Sequence, residues 1–232
     1  MIKGFRGTSL VDYPGLLSAV VFFGGCNFRC PFCYNVDLVL PERLSKLPDL
    51  PEEEILLELK RREGFIKGVV ITGGEPTLNP RPLRHLLEMI RAETTLKIKL
   101  DTNGSRPKIL TELLEADLLD YVAMDFKTRP ERYPELRGTW QEVEASLTIL
   151  QKAAIPYELR ITAVPYFVSQ KDLEAMLPWL SLAPRVALQR FMNELPPLNP
   201  DIPLGAYGPE ELRAFQRFLE ERTGGEVVLR NV

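Results

Sequence analysis

Cysteine and histidine are scarce in this chain of 232 residues: three cysteines, all within positions 26 to 33, and one histidine, His85. An odd number of thiols crowded into eight residues argues against a disulfide framework and suits a reducing compartment. Long hydrophobic runs are also missing. The most apolar stretch, LLSAVVFF at 16–23, falls well short of the roughly 18 residues that suggest a bilayer-spanning helix. The opening MIKGFRGTSLVDYPG has no continuous apolar segment and carries Asp12 and Pro14 where a signal peptide would have one. A cytoplasmic protein without membrane association is expected. Nor is there an excess of positive charge: 29 Lys and Arg against 32 Asp and Glu give a net charge of −3. That balance offers no general attraction to nucleic acid or anionic lipid. With 45% hydrophobic and 26% charged residues, the chain can bury a substantial core.

No repeat, low-complexity tract or linker divides it, so one domain over 1–232 is expected. Short β-branched or apolar runs at 18–23, 67–72, 96–101, 121–126, 157–164 and 185–191 read as strands buried on both faces. Longer segments with helical periodicity separate them. Residues 51–63 place acids in the first turn and bases in the last, and 80–93 repeat apolar positions at threes and fours. Further helical patterns cover about 107–117, 140–153, 170–180 and 208–222. Alternation repeated six times implies an α/β fold with a parallel sheet. A complete eightfold barrel takes around 250 residues, so the expectation is a partial (β/α)6-type TIM barrel with its helices outside. Its core would run over about 16–191, with a C-terminal loop and helix over about 192–232, proline-rich from 192 to 207.

The chemically suggestive residues share a position. Cys26, Cys30 and Cys33 follow the first run, Gly73-Gly74-Glu75-Pro76 the second, Asp101-Thr102-Asn103-Gly104 the third and Asp125-Phe126-Lys127 the fourth. In parallel α/β proteins the C-terminal strand ends are where active sites are built. Three cysteines at C-x3-C-x2-C, interleaved with Asn27, Arg29 and Pro31, would not all bury on one helical or strand face. Structural zinc wants four ligands, usually in two pairs. The chain has no second pair, and His85 sits in the apolar pattern of a helix. An iron–sulfur cube also wants four, but three thiolates leave one iron open to bind something else.

Together with Phe32, C-x3-C-x-F-C resembles the signature of radical S-adenosylmethionine (SAM) enzymes. That resemblance implies one 4Fe–4S cluster on Cys26, Cys30 and Cys33, whose open iron chelates SAM and whose electron releases a 5′-deoxyadenosyl radical. Gly73, Gly74 and Glu75 are similar to the family's GGEP stretch, with the acid at the methionyl ammonium of SAM. Glycines admit a ligand close to the backbone, and a carboxylate suits an ammonium. The plainer reading is a Gly-Gly turn before a helix-starting acid and proline.

TSLVDYPG at 8–15, the cysteine loop, LDTNG at 100–104 and AMDFK at 123–127 resemble glycyl-radical-enzyme activating enzymes, and most of all the activators of anaerobic ribonucleoside-triphosphate reductase. The resemblance implies SAM contacts from Asp101 and Lys127. It also implies a monovalent-cation site from Asp101, Thr102 and Asp125 with the carbonyl of Ala123. An Asx-type turn and a solvated strand end are the plainer readings there. Arg160 points either into the barrel toward an anionic group or out to solvent. The late histidine of pyruvate formate-lyase activators is absent from 188–193, leaving Gln189 as its substitute at the nucleoside. The implied partners are a glycyl radical enzyme and, as electron donor, flavodoxin or ferredoxin. The competing readings are a radical SAM enzyme acting on a small molecule, similar to 7-carboxy-7-deazaguanine synthase, and an iron–sulfur protein that never cleaves SAM.

Overall fold

The structure of the protein, a computed structural model, describes residues 1–192, 198, 199 and 201–231. Eight strands follow one another in sequence order in the sheet: β1 (Ile2–Tyr13), β2 (Leu16–Phe23), β3 (Gly68–Gly73), β4 (Lys97–Thr102), β5 (Tyr121–Asp125), β6 (Tyr157–Ala163), β7 (Arg185–Arg190) and β8 (Glu226–Arg230). The six runs read from the sequence are β2 to β7, which bears out the α/β class. Two flanking strands escaped that reading. β1 pairs antiparallel with β2, but register shifts fall between Ile2 and Gly4, Arg6 and Ser9, and Ser9 and Tyr13. Each shift resets which face a side chain takes, so no period of two survives in the sequence. β8 is a five-residue strand behind Gly224-Gly225, too short to declare itself.

The helices are α1 (Val36–Val39), α2 (Pro41–Leu44), α3 (Glu52–Arg62), α4 (Pro80–Glu93), α5 (Pro107–Glu115), α6 (Trp140–Lys152), α7 (Gln170–Leu180) and α8 (Pro209–Glu220). The two short ones after the cysteine loop were not foreseen. Of the expected proline-rich loop, 193–197 and 200 lie outside the described residues. No helix among the described residues is long and apolar enough to cross a membrane.

The residues group into two compact units. The first comprises Met1–Asn27, Asn35–Thr102 and Arg106–Val122. In it β2, β3 and β4 pair in parallel, Val20 beside Val70 and Val70 beside Lys99. Ala19, Val20, Val21, Val69, Val70, Ile71, Ile98 and Leu100 are buried, as expected for strands covered on both faces. α4 adds Leu83, Leu86, Leu87 and Ile90, one fully buried stripe at helical spacing. Each such side chain contributes about 1.5–3 kcal/mol through burial.

The second unit comprises Phe28–Tyr34, Asn103–Ser105 and Ala123–Val232. Its β6, β7 and β8 pair in parallel, with Leu159 beside Val186 and Val186 beside Val227. α6 buries Val143, Leu147 and Leu150, and α7 buries Leu173, Met176 and Leu180. A capping box between Ser169 and Asp172 starts α7. Glu158, wholly buried on β6, takes both terminal nitrogens of Arg230 on β8 at 2.9 and 2.7 Å. That bidentate pair ties the last strand to the unit's core.

Candidate active site

In the first unit the end of β3 is sewn to the end of β2. The amide of Gly74 donates to the carbonyl of Phe23 at 2.8 Å, and that of Glu75 to the carbonyl of Gly25 at 2.7 Å. Two asparagine side chains extend the seam: Asn35 donates to the carbonyl of Gly73 at 2.7 Å, and Asn79 to that of Gly24 at 3.2 Å. Both glycines are dictated by this approach. A Cβ on Gly73, whose φ is +127°, would lie 2.2 Å from the carbonyl oxygen of Phe23, and one on Gly74 would lie 2.1 Å from that of Gly25. On the side where a side chain would project, the neighbouring backbone fills the space at both glycines. Cys26, half-buried, comes directly after the seam.

Glu75 is 1% exposed. Its Oε1 accepts hydrogen bonds from the amide of Thr77 at 3.1 Å, from the hydroxyl of Thr77, and from that of Thr102 at 2.8 Å. The contact with the Thr77 amide also caps the short 3₁₀ turn Pro76–Leu78, so the plainer reading of this acid is realised as well. On β4, period-two alternation turns Lys99 and Asp101 to one face. They form an ion pair, with Lys99 1% and Asp101 6% exposed.

In the second unit Cys30 is buried and Cys33 half-buried, and the amide of Cys33 donates to the carbonyl of Cys30 at 3.1 Å. Aromatic side chains anchor this segment. Phe28 meets Tyr133 edge-on at 6.2 Å and fills the space where Gly138 lacks a Cβ. Phe32 packs on Phe167 at 5.3 Å, and Tyr34 on Phe191 at 5.5 Å. The amide of Arg29 donates to the carbonyl of Leu136 at 2.9 Å. Of these anchors, sequence reasoning singled out Phe32 alone. The signal for the others is the run of aromatics at 28, 32 and 34, interleaved with the cysteines.

At the end of β5, Asp125 accepts from Lys127 Nζ at 2.9 Å and from Arg160 Nε at 2.9 Å. Burial pushes this carboxyl up, but Arg160 and Lys127 outweigh it and hold it down at about 2. Arg160 is thus turned into this cluster. The amide of Lys127 donates to the hydroxyl of Tyr133 at 3.3 Å, and burial raises that phenol well above its ordinary value. Asn103 makes the expected Asx turn, its Oδ1 accepting from the amide of Ser105 at 2.9 Å. Gln189 sits half-buried near the C-terminal end of β7. His85 is exposed on α4 and pairs with Glu52, whose carboxylate raises its pKa.

Among the described residues no three Cys, His, Asp or Glu side chains form a group that could hold a metal ion. The donor chemistry is nonetheless selective: three thiols favour iron–sulfur ligation over the oxygen-liking cations. The buried Glu75 carboxylate suits an ammonium-bearing ligand.

Comparison with known proteins points the same way. The Radical SAM superfamily profile matches residues 20–179. A protein of Methanocaldococcus jannaschii is 31% identical over 198 residues, covering 82% of this chain and 80% of that one. Its assigned name, glycyl-radical enzyme activating enzyme, is itself provisional. A 7-carboxy-7-deazaguanine synthase of Hyperthermus butylicus is 40% identical over 95 residues, 41% of this chain and 38% of that one. Among solved structures, a domain of a pyruvate-formate lyase-activating enzyme from Bacteroides vulgatus superposes with a TM-score of 0.58 at 16% identity, over 70% of this chain and 98% of that one. Streptococcus suis SuiB bound to S-adenosylmethionine superposes with a TM-score of 0.67 at 13% identity, over 91% of this chain and 52% of that one. The chain belongs to the radical SAM superfamily, whose members work with a 4Fe–4S cluster and SAM.

Proposed function

We propose that the protein is a glycyl-radical-enzyme activase. It binds one 4Fe–4S cluster through Cys26, Cys30 and Cys33, binds SAM, and removes a hydrogen atom from the Cα of a glycine in anaerobic ribonucleoside-triphosphate reductase. When bound, the cluster supplies one electron to the sulfonium of SAM, which yields methionine and the 5′-deoxyadenosyl radical that takes the hydrogen. The chain's own residues bind and position. Glu75, its carboxylate held by the two threonines, receives the methionyl ammonium; Asp101 and Lys127 contact SAM, and Gln189 meets the nucleoside. Phe32 anchors the turn between Cys30 and Cys33. In this reading one radical SAM domain spans 1–232, works in the cytoplasm, and takes its electron from flavodoxin or ferredoxin.

The observation that carries the SAM chemistry is the seam between β2 and β3. It makes the residue before Cys26 a direct hydrogen-bond partner of Glu75, at 2.7 Å, so a metal-bound ligand and its ammonium-binding acid share one rigid support. The choice of a protein substrate follows the extent of similarity: 82% of this chain for the activating-enzyme relative against 41% for the deazaguanine synthase.

The test is electron paramagnetic resonance on the anaerobically reconstituted protein with reductant, SAM and the reductase from the same organism. A glycine-centred doublet that Cys30→Ala abolishes supports the whole reading. Release of 5′-deoxyadenosine without a doublet keeps the radical chemistry and moves the substrate to a small molecule. An intact cluster that cleaves no SAM marks an electron carrier instead.

A further inference from the structure

We infer that the ammonium of Lys99 is a built-in countercation for Asp101, and that the strand ends of this protein bind no monovalent cation. The inference goes beyond the proposed function and turns on the donor set that a cation would need.

Lysine is almost never fully buried unless paired, because an ammonium stripped of water needs a compensating charge. Lys99 is buried in β4, and its Nζ meets Asp101 Oδ1 on the same face of the strand. Position 99 could hold an apolar side chain like its neighbours Ile98 and Leu100 at no such cost. Its ammonium contributes what a potassium ion would contribute: one positive charge of similar size beside a buried carboxylate.

Hard monovalent cations are held by oxygen donors, and a carboxylate draws one in through its uncompensated charge. The Lys99–Asp101 pair carries none, and a second cation at Asp101 would sit against the ammonium and be repelled by it. In the second unit Asp125 already faces two cations, Lys127 and Arg160. Each carboxylate of the implied cation site is thus compensated within its own unit, and the residues do not fit that ion.

Thallium(I), a spectroscopic stand-in for potassium, tests this by nuclear magnetic resonance on the protein as purified, with neither cluster nor SAM required. The wild type is expected to show no saturable site. Lys99→Met removes this positive charge from beside Asp101, so it is expected to gain one thallium site that potassium displaces and that the added change Asp101→Asn removes. Lys99→Gln serves the same purpose should the methionine variant not fold. Saturable one-to-one thallium binding by the wild type would overturn the inference. As a second readout, SAM affinity of the reconstituted wild type is expected to be equal in potassium and tetramethylammonium chloride. A potassium-dependent gain of about tenfold or more, a coupling of about 1.4 kcal/mol, would equally overturn it. Failure to bind SAM in either salt counts against the proposed function alone and leaves the thallium result to decide the inference.

Discussion

Gly74→Ala attacks the seam between β2 and β3 at its tightest point. The new Cβ would lie 2.1 Å from the carbonyl oxygen of Gly25 and 2.7 Å from its carbon. Both are backbone atoms, so no side chain can swing aside and the two strand ends must part. Parting them loses the bonds from the Gly74 amide to Phe23 and from the Glu75 amide to Gly25, at 2.8 and 2.7 Å. Each contributes about 1 kcal/mol net, and overpacking adds roughly 1–3 kcal/mol. The expected destabilisation is about 3–5 kcal/mol, which for a chain of this length lowers Tm by roughly 6–20 °C. Scanning calorimetry on the cluster-free protein measures it, with Gly64→Ala as control. Nothing lies within 4 Å of a Cβ at Gly64, so that variant should stay within about 1 kcal/mol of wild type. Because Cys26 follows the displaced Gly25, iron incorporation on reconstitution should fall as well. A Gly74→Ala protein that melts with the wild type and takes up a full complement of iron would refute the claim that backbone contact dictates this glycine.

Asn35→Ala removes the amide that donates to the carbonyl of Gly73 at 2.7 Å; the expected cost is about 1–2 kcal/mol, with faster loss of iron to a chelator, and an unchanged release rate would show that this bond does not hold the cysteine loop. Asp125 makes a pH-dependent contribution of known sign. Its folded pKa of about 2 lies below the ordinary aspartate value, so its stabilisation is complete above about pH 4 and fades as the pH falls toward 2, by about 2 kcal/mol in all. The gap in urea midpoint between wild type and Asp125→Asn should therefore hold steady from neutral pH to about 5 and narrow in acid; a gap that does not narrow would mean the cations do not depress this carboxyl.

Strands such as β2 and β3 were legible because burial on both faces writes an uninterrupted apolar run, as in the Val69–Ile71 segment of β3. The antiparallel β1 was not, because its register shifts break the alternation that marks a half-buried strand. The cysteines, Glu75 and Asp101 were legible as types at strand ends. Their partners were not, since a hydrogen bond such as Asn35 to Gly73 spans 38 positions and leaves no local pattern. Lys99 lay unremarked inside the run at 96–101, read as a strand buried on both faces. Only the burial of its ammonium beside Asp101 shows what it compensates.

The Gly73-Gly74 pair shows how a motif can be recognised for one reason and required for another. The expectation was that the glycines let a ligand come close to the backbone; on the side where a side chain would project, they admit the backbone of Phe23 and Gly25 as well. A site that must hold its reactants within a fraction of an ångström gains more from locking its supporting loops together than from widening them. The glycines also form a supporting layer, in which the root of the cysteine loop is drawn onto the end of β3 just before Glu75. Asn35 and Asn79 act in the same layer through side-chain amides. Substitutions there should therefore show first as lost iron and lowered thermal stability, with SAM affinity falling as a consequence, whereas Glu75→Gln should weaken SAM binding while the protein still takes up its iron.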